Sequence, residues 1–143
     1  MDRGRRGLAR PKWAQRLRLR HTVRPRDPDR WGDTQTTAAD VAATYGYLRD
    51  APDGQVVLKA LSAMTDYGAD GFDQRFGIPT SAGDRPWAAK QGWSCCRDGR
   101  ILHTTGTVGD YLVVVLTSHP EETTWTNASQ RVTSIVDALL SGR

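Results

Sequence analysis

The strongest constraint on the fold lies in the second half of the chain, where three apolar stretches are separated by short turn signals. Arg97-Asp-Gly-Arg100 carries the Asp-Gly pair that favours a tight hairpin, because both central residues of that turn need positive φ. Gly109-Asp110 is a second signal of the same kind. The pattern predicts strands over 87–96, 101–108 and 111–117, joined as an antiparallel meander. Tyr111 to Thr117 is apolar on both alternating faces, so the third strand needs cover on both sides of the sheet.

Helices must supply that cover. Thr37-Ala-Ala-Asp40 has the form of a capping box, with Asp in place of the usual Glu. Val41, Tyr45 and Leu48 follow at helical spacing and mark one face. Asp50-Ala-Pro-Asp-Gly54 reads as a stop and a turn. A second helix is expected after Asp53, with Val57, Leu61 and Met64 on one stripe and Leu58 beside it. Residues 67–84 are rich in Gly, Asp and Pro and read as an irregular connection, pinned to the core by Phe72, Phe76 and Ile78. A last helix is predicted from about Thr124 to Leu140. Its stripe of Ala128, Val132, Ile135, Val136, Leu139 and Leu140 must pack on the sheet. Two helices, a meander and a long closing helix make an α+β fold.

Charge divides the chain unevenly. Residues 1–30 hold eleven Lys/Arg against three Asp, a net +8, while the remaining residues carry a net −4. A basic domain is therefore not implied; a mildly acidic domain behind a basic arm is. The arm shows no hydrophobic period, and Pro25 and Pro28 keep their neighbours extended. Residues 1–21 are read as a disordered arm and 22–143 as the domain. An Arg-rich arm suits nucleic acid or anionic lipid, but a solvated leader explains it more simply, so no nucleic-acid partner is expected. With 143 residues, 38% hydrophobic and 25% charged, the composition is that of one globular domain. The longest apolar run, Leu112 to Leu116, is far short of the ~20 residues that span a bilayer. No apolar stretch follows the first arginines, so no secretory signal is read and the chain as written is placed in the cytoplasm.

Most familiar chemistry is missing from the sequence. The three histidines, His21, His103 and His119, are isolated, and no pair stands at metal-ligand spacing. No phosphate-binding glycine loop occurs, and neither metal nor cofactor is expected. Glu121 and Glu122 are read as acidic residues favouring the dipole at the start of the last helix. Cys95 and Cys96 would point to opposite faces of a strand and are expected to be free thiols.

Lys90-Gln91-Gly92-Trp93 on the first strand is the constellation that stands out. A lysine on an edge strand ordinarily blunts it against pairing, while a glycine within a strand hints at close approach by a ligand. Read with its surroundings, the stretch from Thr22 to Leu140 resembles the C-terminal half of the serine β-lactamase and penicillin-binding-protein family. The likeness is to class A β-lactamase-like hydrolases of actinobacterial type. Trp31 to Asp40 resembles the segment that opens a helix after that family's omega loop. Gly71-Phe-Asp-Gln-Arg-Phe-Gly-Ile-Pro79 resembles the connection returning to the sheet, and Ala89-Lys-Gln-Gly-Trp93 the Lys-Thr/Ser-Gly strand. Tyr111 to Ser118 and the closing helix are similar to the last strand and helix.

The resemblance implies substrate-binding roles for Lys90, Gln91, Gly92, Trp93 and Arg100. Lys90 would place positive charge near a substrate carboxylate, Gly92 would let an acyl-amide ligand lie along the strand, and Trp93 would offer a backbone N–H to an oxyanion. Gln91 stands where the family has Thr or Ser, and Arg100 would support the carboxylate contact. None of the seven serines is followed three residues later by lysine, so the family's nucleophile has no counterpart and no catalytic residue is assigned. The implied function is that of a truncated hydrolase, inactive alone, with β-lactams or peptidoglycan peptides as ligands and a complementary N-terminal half as partner. The alternative is a non-catalytic binding module for peptidoglycan-like ligands. Without its companion half, the third strand would leave an apolar edge open.

Overall fold

In a computed structural model of the chain, the described residues are 12–97 and 99–142. The elements that position the site are α1 (Lys12–Arg16), α2 (Ala38–Asp50), α3 (Gly54–Ser62), α4 (Ile78–Ser81), β1 (Trp87–Ser94), β2 (Arg100–Val108), β3 (Tyr111–His119) and α5 (Trp125–Ser141). A 3₁₀ segment runs over Pro28–Asp33. The fold is α+β. The sheet is the predicted antiparallel meander in the order β1-β2-β3, with Lys90 opposite Thr105 and Thr105 opposite Val114.

Strand alternation divides the side chains between two helical layers. Ala89, Leu102, Val108, Val113 and Val115 pack with Ala128, Val132, Val136 and Leu140 of α5 into the main core. The opposite face lies against α2 and α3. There the buried Tyr45 hydroxyl meets Thr105 Oγ1 at 3.0 Å, and the ring burial raises the phenol pKa. This arrangement covers β3 from Val113 to Leu116 on both sides of the sheet, fully on the α5 side and partly on the other, and leaves Tyr111 and Leu112 exposed.

Local signals explain most boundaries. Thr37 caps α2 by accepting from the Asp40 amide at 3.2 Å. Asp40, however, does not complete the reciprocal half of a capping box. Its carboxylate is buried at 4% exposure and accepts from the Arg20 and His21 amides and the Thr22 hydroxyl, at 2.7–2.9 Å. Those bonds, the Arg20 amide foremost, pull its pKa down to about 2 against the opposing cost of burial. Leu19 and Ala14 are buried, and Val23 bridges to Gln35. Residues 12–36 thus follow a fixed course over the N-terminus of α2; the first eleven residues of the basic arm lie outside the described residues. Gly54 opens α3 because the chain there turns against α2: a Cβ would sit 1.8 Å from the Leu48 carbonyl oxygen.

Several sequence expectations shift. The inward stripe of α3 is carried by Leu58 and Leu61, while Val57 is exposed at 42%. The connection over 67–84 contains the short helix α4, which its Gly and Pro content hid. On α5 the apolar stripe is wider than the buried one. Ile135 and Leu139 are 42% and 47% exposed, because the sheet ends at β3 and nothing among the described residues lies beyond it. Glu121 and Glu122 precede α5, whose cap is Thr124, so they do not sit in its first turn. β1 ends at Ser94 rather than Cys96, and strand alternation therefore does not govern Cys95 and Cys96. Their sulfur atoms face each other just beyond the strand. Asp98 of the first hairpin signal lies outside the described residues; Gly99 beside it takes φ +90° as that turn demands.

Candidate functional site

Three of the five residues singled out in the sequence come together in one ladder of rings and cations. Lys90 Nζ lies 5.9 Å from the centre of the Trp93 ring. Trp93 stacks on Phe72 at 4.5 Å with 7° between the planes. Phe72 meets Trp125 edge-on at 4.9 Å, and the Arg100 guanidinium covers Trp125 at 4.3 Å. Offset stacks and edge contacts of this kind add to the area they bury, and a cation over an indole face is attracted by its quadrupole. Trp93 is fixed from a further side, where its indole N–H donates to Asp70 Oδ2 at 3.0 Å. That bond and the Phe72 amide together hold the Asp70 carboxyl below its ordinary pKa, the amide contributing more.

The ladder draws on three separate parts of the chain: β1 and β2, the 67–76 connection, and the start of α5. Gln91 is what ties the second of these to the first. It alternates to the core side of β1, is 1% exposed, and donates through Nε2 to the carbonyls of Gln74 at 2.9 Å and Phe76 at 2.7 Å. Its side chain faces the interior, beneath the ladder. Gly77 ends the connection with φ +62°, donating its amide to Thr133 Oγ1 at 2.9 Å. Gly92 faces the other side of the sheet, against the His103 ring. Lys90 donates to the Gln91 carbonyl of its own strand and is exposed. Arg100 donates to the Glu121 carbonyl at 3.1 Å, while its Nε is buried with no hydrogen-bond partner among the described residues.

Phe72 and Trp125 also border an open cleft of about 650 Å³ between the connection and α5, where Arg75, Ser129 and Gln130 add polar groups. Arg75 is held in place by both oxygens of Asp73 and by the Tyr67 hydroxyl; Asp73 in turn has its pKa lowered to about 2, chiefly by the side-chain bond from Arg75. The cleft thus presents two ring surfaces set at 84° to each other, an Arg75 paired with Asp73, and amide and hydroxyl groups, a lining that suits a ligand with both C–H and polar faces. Phe72 was placed by the sequence as a core residue, and Trp125 was not marked at all. Their convergence on Trp93 depends on tertiary packing that no spacing encodes.

The remaining polar groups serve other ends. His103 Nδ1 accepts from the Thr117 amide at 3.1 Å, and the Thr117 hydroxyl meets His119 Nε2 at 2.8 Å. Burial lowers both histidine pKa values, Arg131 adding to the effect at His119. Among the described residues no three His, Cys, Asp or Glu gather as a metal site, and no helix is long and apolar enough to cross a membrane.

Comparison with known proteins places the chain beside a different group from the one its motifs suggested. Curated proteins described as "Putative lipoprotein LppW", from Mycobacterium bovis and two strains of Mycobacterium tuberculosis, are 36% identical to it over 119 residues. The chain is similar to LppW. The match takes in 76% of this chain and 38% of each relative, so the chain spans less than two fifths of the length of the curated relatives it matches. No protein-family model and no solved structure matches it.

These findings overturn the recognition of the chain as a member of the serine β-lactamase and penicillin-binding-protein family, and with it the family keywords drawn from that likeness. The motif that carried the likeness has a simpler physical basis. Lys-x-Gly on an edge strand arises from the need to blunt that edge, and its middle residue here is spent on holding the connection.

Proposed function

We propose that the chain is a non-catalytic binding module of the cell envelope that takes peptidoglycan-like ligands. The observation that supports this most is the ladder Lys90–Trp93–Phe72–Trp125–Arg100 beside its polar cleft. Sugar rings offer C–H faces that stack on indole and phenyl planes. The carboxylates of lactyl and peptide stems suit Lys90, Arg75 and Arg100. The description of the relatives as a lipoprotein is consistent with residence at the envelope rather than in the cytoplasm, where such ligands are encountered.

The test is co-sedimentation of the full chain with insoluble peptidoglycan, read beside exposure to a fluorescent penicillin. The reading expects retention on peptidoglycan, several-fold weaker retention for Lys90→Ala, and no covalent label. Absence of retention overturns the ligand class, and a covalent penicillin adduct overturns the non-catalytic role.

A further inference from the structure

A second surface, formed by the N-terminal segment, brings tryptophan and arginine together without burying either. Trp13 of α1 and Trp31 of the 3₁₀ segment line one cleft of about 320 Å³ with Arg24, Pro25, Arg26 and Pro28. Trp31 is 80% exposed and Trp13 49%. Tryptophan is highly buried on average, so two such rings on one exposed cleft are unusual for a solvated surface. Val23, next to Arg24, is a third exposed apolar side chain, at 54%.

The charge of this surface is open as well. Arg30 is neutralised by Asp33, but Arg18, Arg24 and Arg26 form no ion pair among the described residues. Within the described residues 12–30, seven Lys/Arg stand against Asp27 and Asp29, a net +5, whereas residues 31–143 carry a net −4. The surface is also held in shape. Asp40 fixes the backbone at Arg20, His21 and Thr22, Val23 bridges to Gln35, and Leu19 is buried beneath. A rigid patch meets a partner at a lower ordering cost than a loose arm.

Rings and cations together narrow the partner. Indoles favour the headgroup level of a bilayer, where one end of the ring is apolar and the other wet, and arginines beside them meet lipid phosphates. A nucleic acid would use the rings for stacking and leave the apolar Pro25 and Pro28 of the cleft idle. Pro25 and Pro28, packed into the same cleft, leave the rings part of a continuous apolar surface. We propose that the Trp13–Trp31 cleft and its arginines form a peripheral docking surface for anionic phospholipid bilayers. This inference does not depend on the ligand assigned to the aromatic ladder.

Co-sedimentation of the full chain with lipid vesicles tests it, using phosphatidylcholine alone and an equal mixture of phosphatidylcholine and phosphatidylglycerol. The expected result is retention on the mixed vesicles only, weakened by added salt. Arg24→Gln and Arg26→Gln should each lower the partition coefficient about fivefold, the loss expected for one surface cation at an anionic leaflet. Trp31→Ala, at a position exposed enough to leave folding intact, should weaken retention and reduce tryptophan quenching by brominated lipid. Failure to bind the mixed vesicles overturns the proposal, as does equal retention on neutral ones. Capture of a single-stranded oligonucleotide in place of vesicles would assign the surface to nucleic acid instead.

Discussion

The two edges of the sheet are built in opposite ways. Beside β1 the chain has laid down a covering connection, keyed into place by the Gln91 amide and the Gly77 turn, and the strand carries the exposed Lys90. Along β3 the same sheet ends in Tyr111 and Leu112, 42% and 40% exposed, beside Ile135 and Leu139 of α5. One edge is dressed with cations, aromatic rings and polar side chains, among them Gln91 and Arg100, each with one buried polar atom left without a partner among the described residues; the other presents Tyr111 and aliphatic side chains. An edge strand tolerates exposure when charge or a covering loop blunts it, and an apolar edge invites pairing. Under the binding reading proposed above, selective recognition is expected at β1, where geometry is fixed, rather than at β3, where only hydrophobicity is on offer.

The largest expected effect breaks the β1 side at its turn. Gly77→Ala puts a Cβ about 2.5 Å from the Thr104 side chain at φ +62°. Left-handed strain and overpacking together should cost about 3 kcal/mol of unfolding free energy in urea titrations. A loss below roughly 1 kcal/mol, inside the range of ordinary substitutions, would mean that the connection is not keyed there. Next comes Gln91→Leu, which keeps the volume but leaves the Gln74 and Phe76 carbonyls without their donor. About 2 kcal/mol is expected, along with a change in the near-ultraviolet signal of Trp93 as Phe72 moves. An unchanged signal would separate the ladder from the connection.

Acidification should act in two stages. His103 and His119 are held neutral by burial, with folded pKa values lowered from 6.5. The unfolded chain therefore binds more protons below that value, and stability falls as pH drops through it. Protonation also converts His103 Nδ1 from an acceptor into a donor facing the Thr117 amide. Asp40 adds a second stage. Its folded pKa of about 2 lies below the ordinary 3.8, so its contribution is present above pH 4 and is lost as pH falls towards 2. Thermal melts across this range should show both steps, and Asp40→Asn should shrink the lower one, the remainder belonging to Asp73, which Arg75 holds at about the same value. A lower step of unchanged size in the variant would contradict the role given to Asp40.

The smallest effect on stability belongs to the β3 side. Leu112→Lys should leave the melting temperature within the few tenths of a kcal/mol typical of surface changes, yet reduce concentration-dependent association measured by sedimentation velocity. Equal association in parent and variant would remove the distinction between the edges.

The fold was largely legible because its signals are local. Thr37, the turn at Gly109, the two-faced run of β3 and the period of α5 each report on neighbours a few residues away. What the sequence concealed is tertiary. Asp40 looked like half of a capping box, but its partners lie about twenty residues upstream, in a segment with no hydrophobic period. Leu58 and Val57 are adjacent, and only the packing of α3 decides which one turns inward. Ile135 and Leu139 match the stripe of α5 perfectly well and are exposed because the sheet stops at β3. At the candidate site Lys90, Trp93 and Arg100 were visible as residue types. Phe72 and Trp125 complete the ladder from elements remote in sequence, and Gln91 serves the connection through a side chain whose direction only strand alternation reveals. The likeness to penicillin-recognising enzymes rested on short motifs of this kind, and comparison with LppW corrected it.

One measurement bears directly on the central claim that recognition resides at the β1 side. The full chain, labelled with ¹⁵N, is titrated with a soluble muropeptide and followed through its backbone amide and indole N–H resonances. The account expects saturable shifts at the indoles of Trp93 and Trp125 and at the amides of Phe72 and Arg100, with Tyr111 to Leu116 unmoved. Shifts confined to β3 and the exposed flank of α5, or none at saturating ligand, would contradict it.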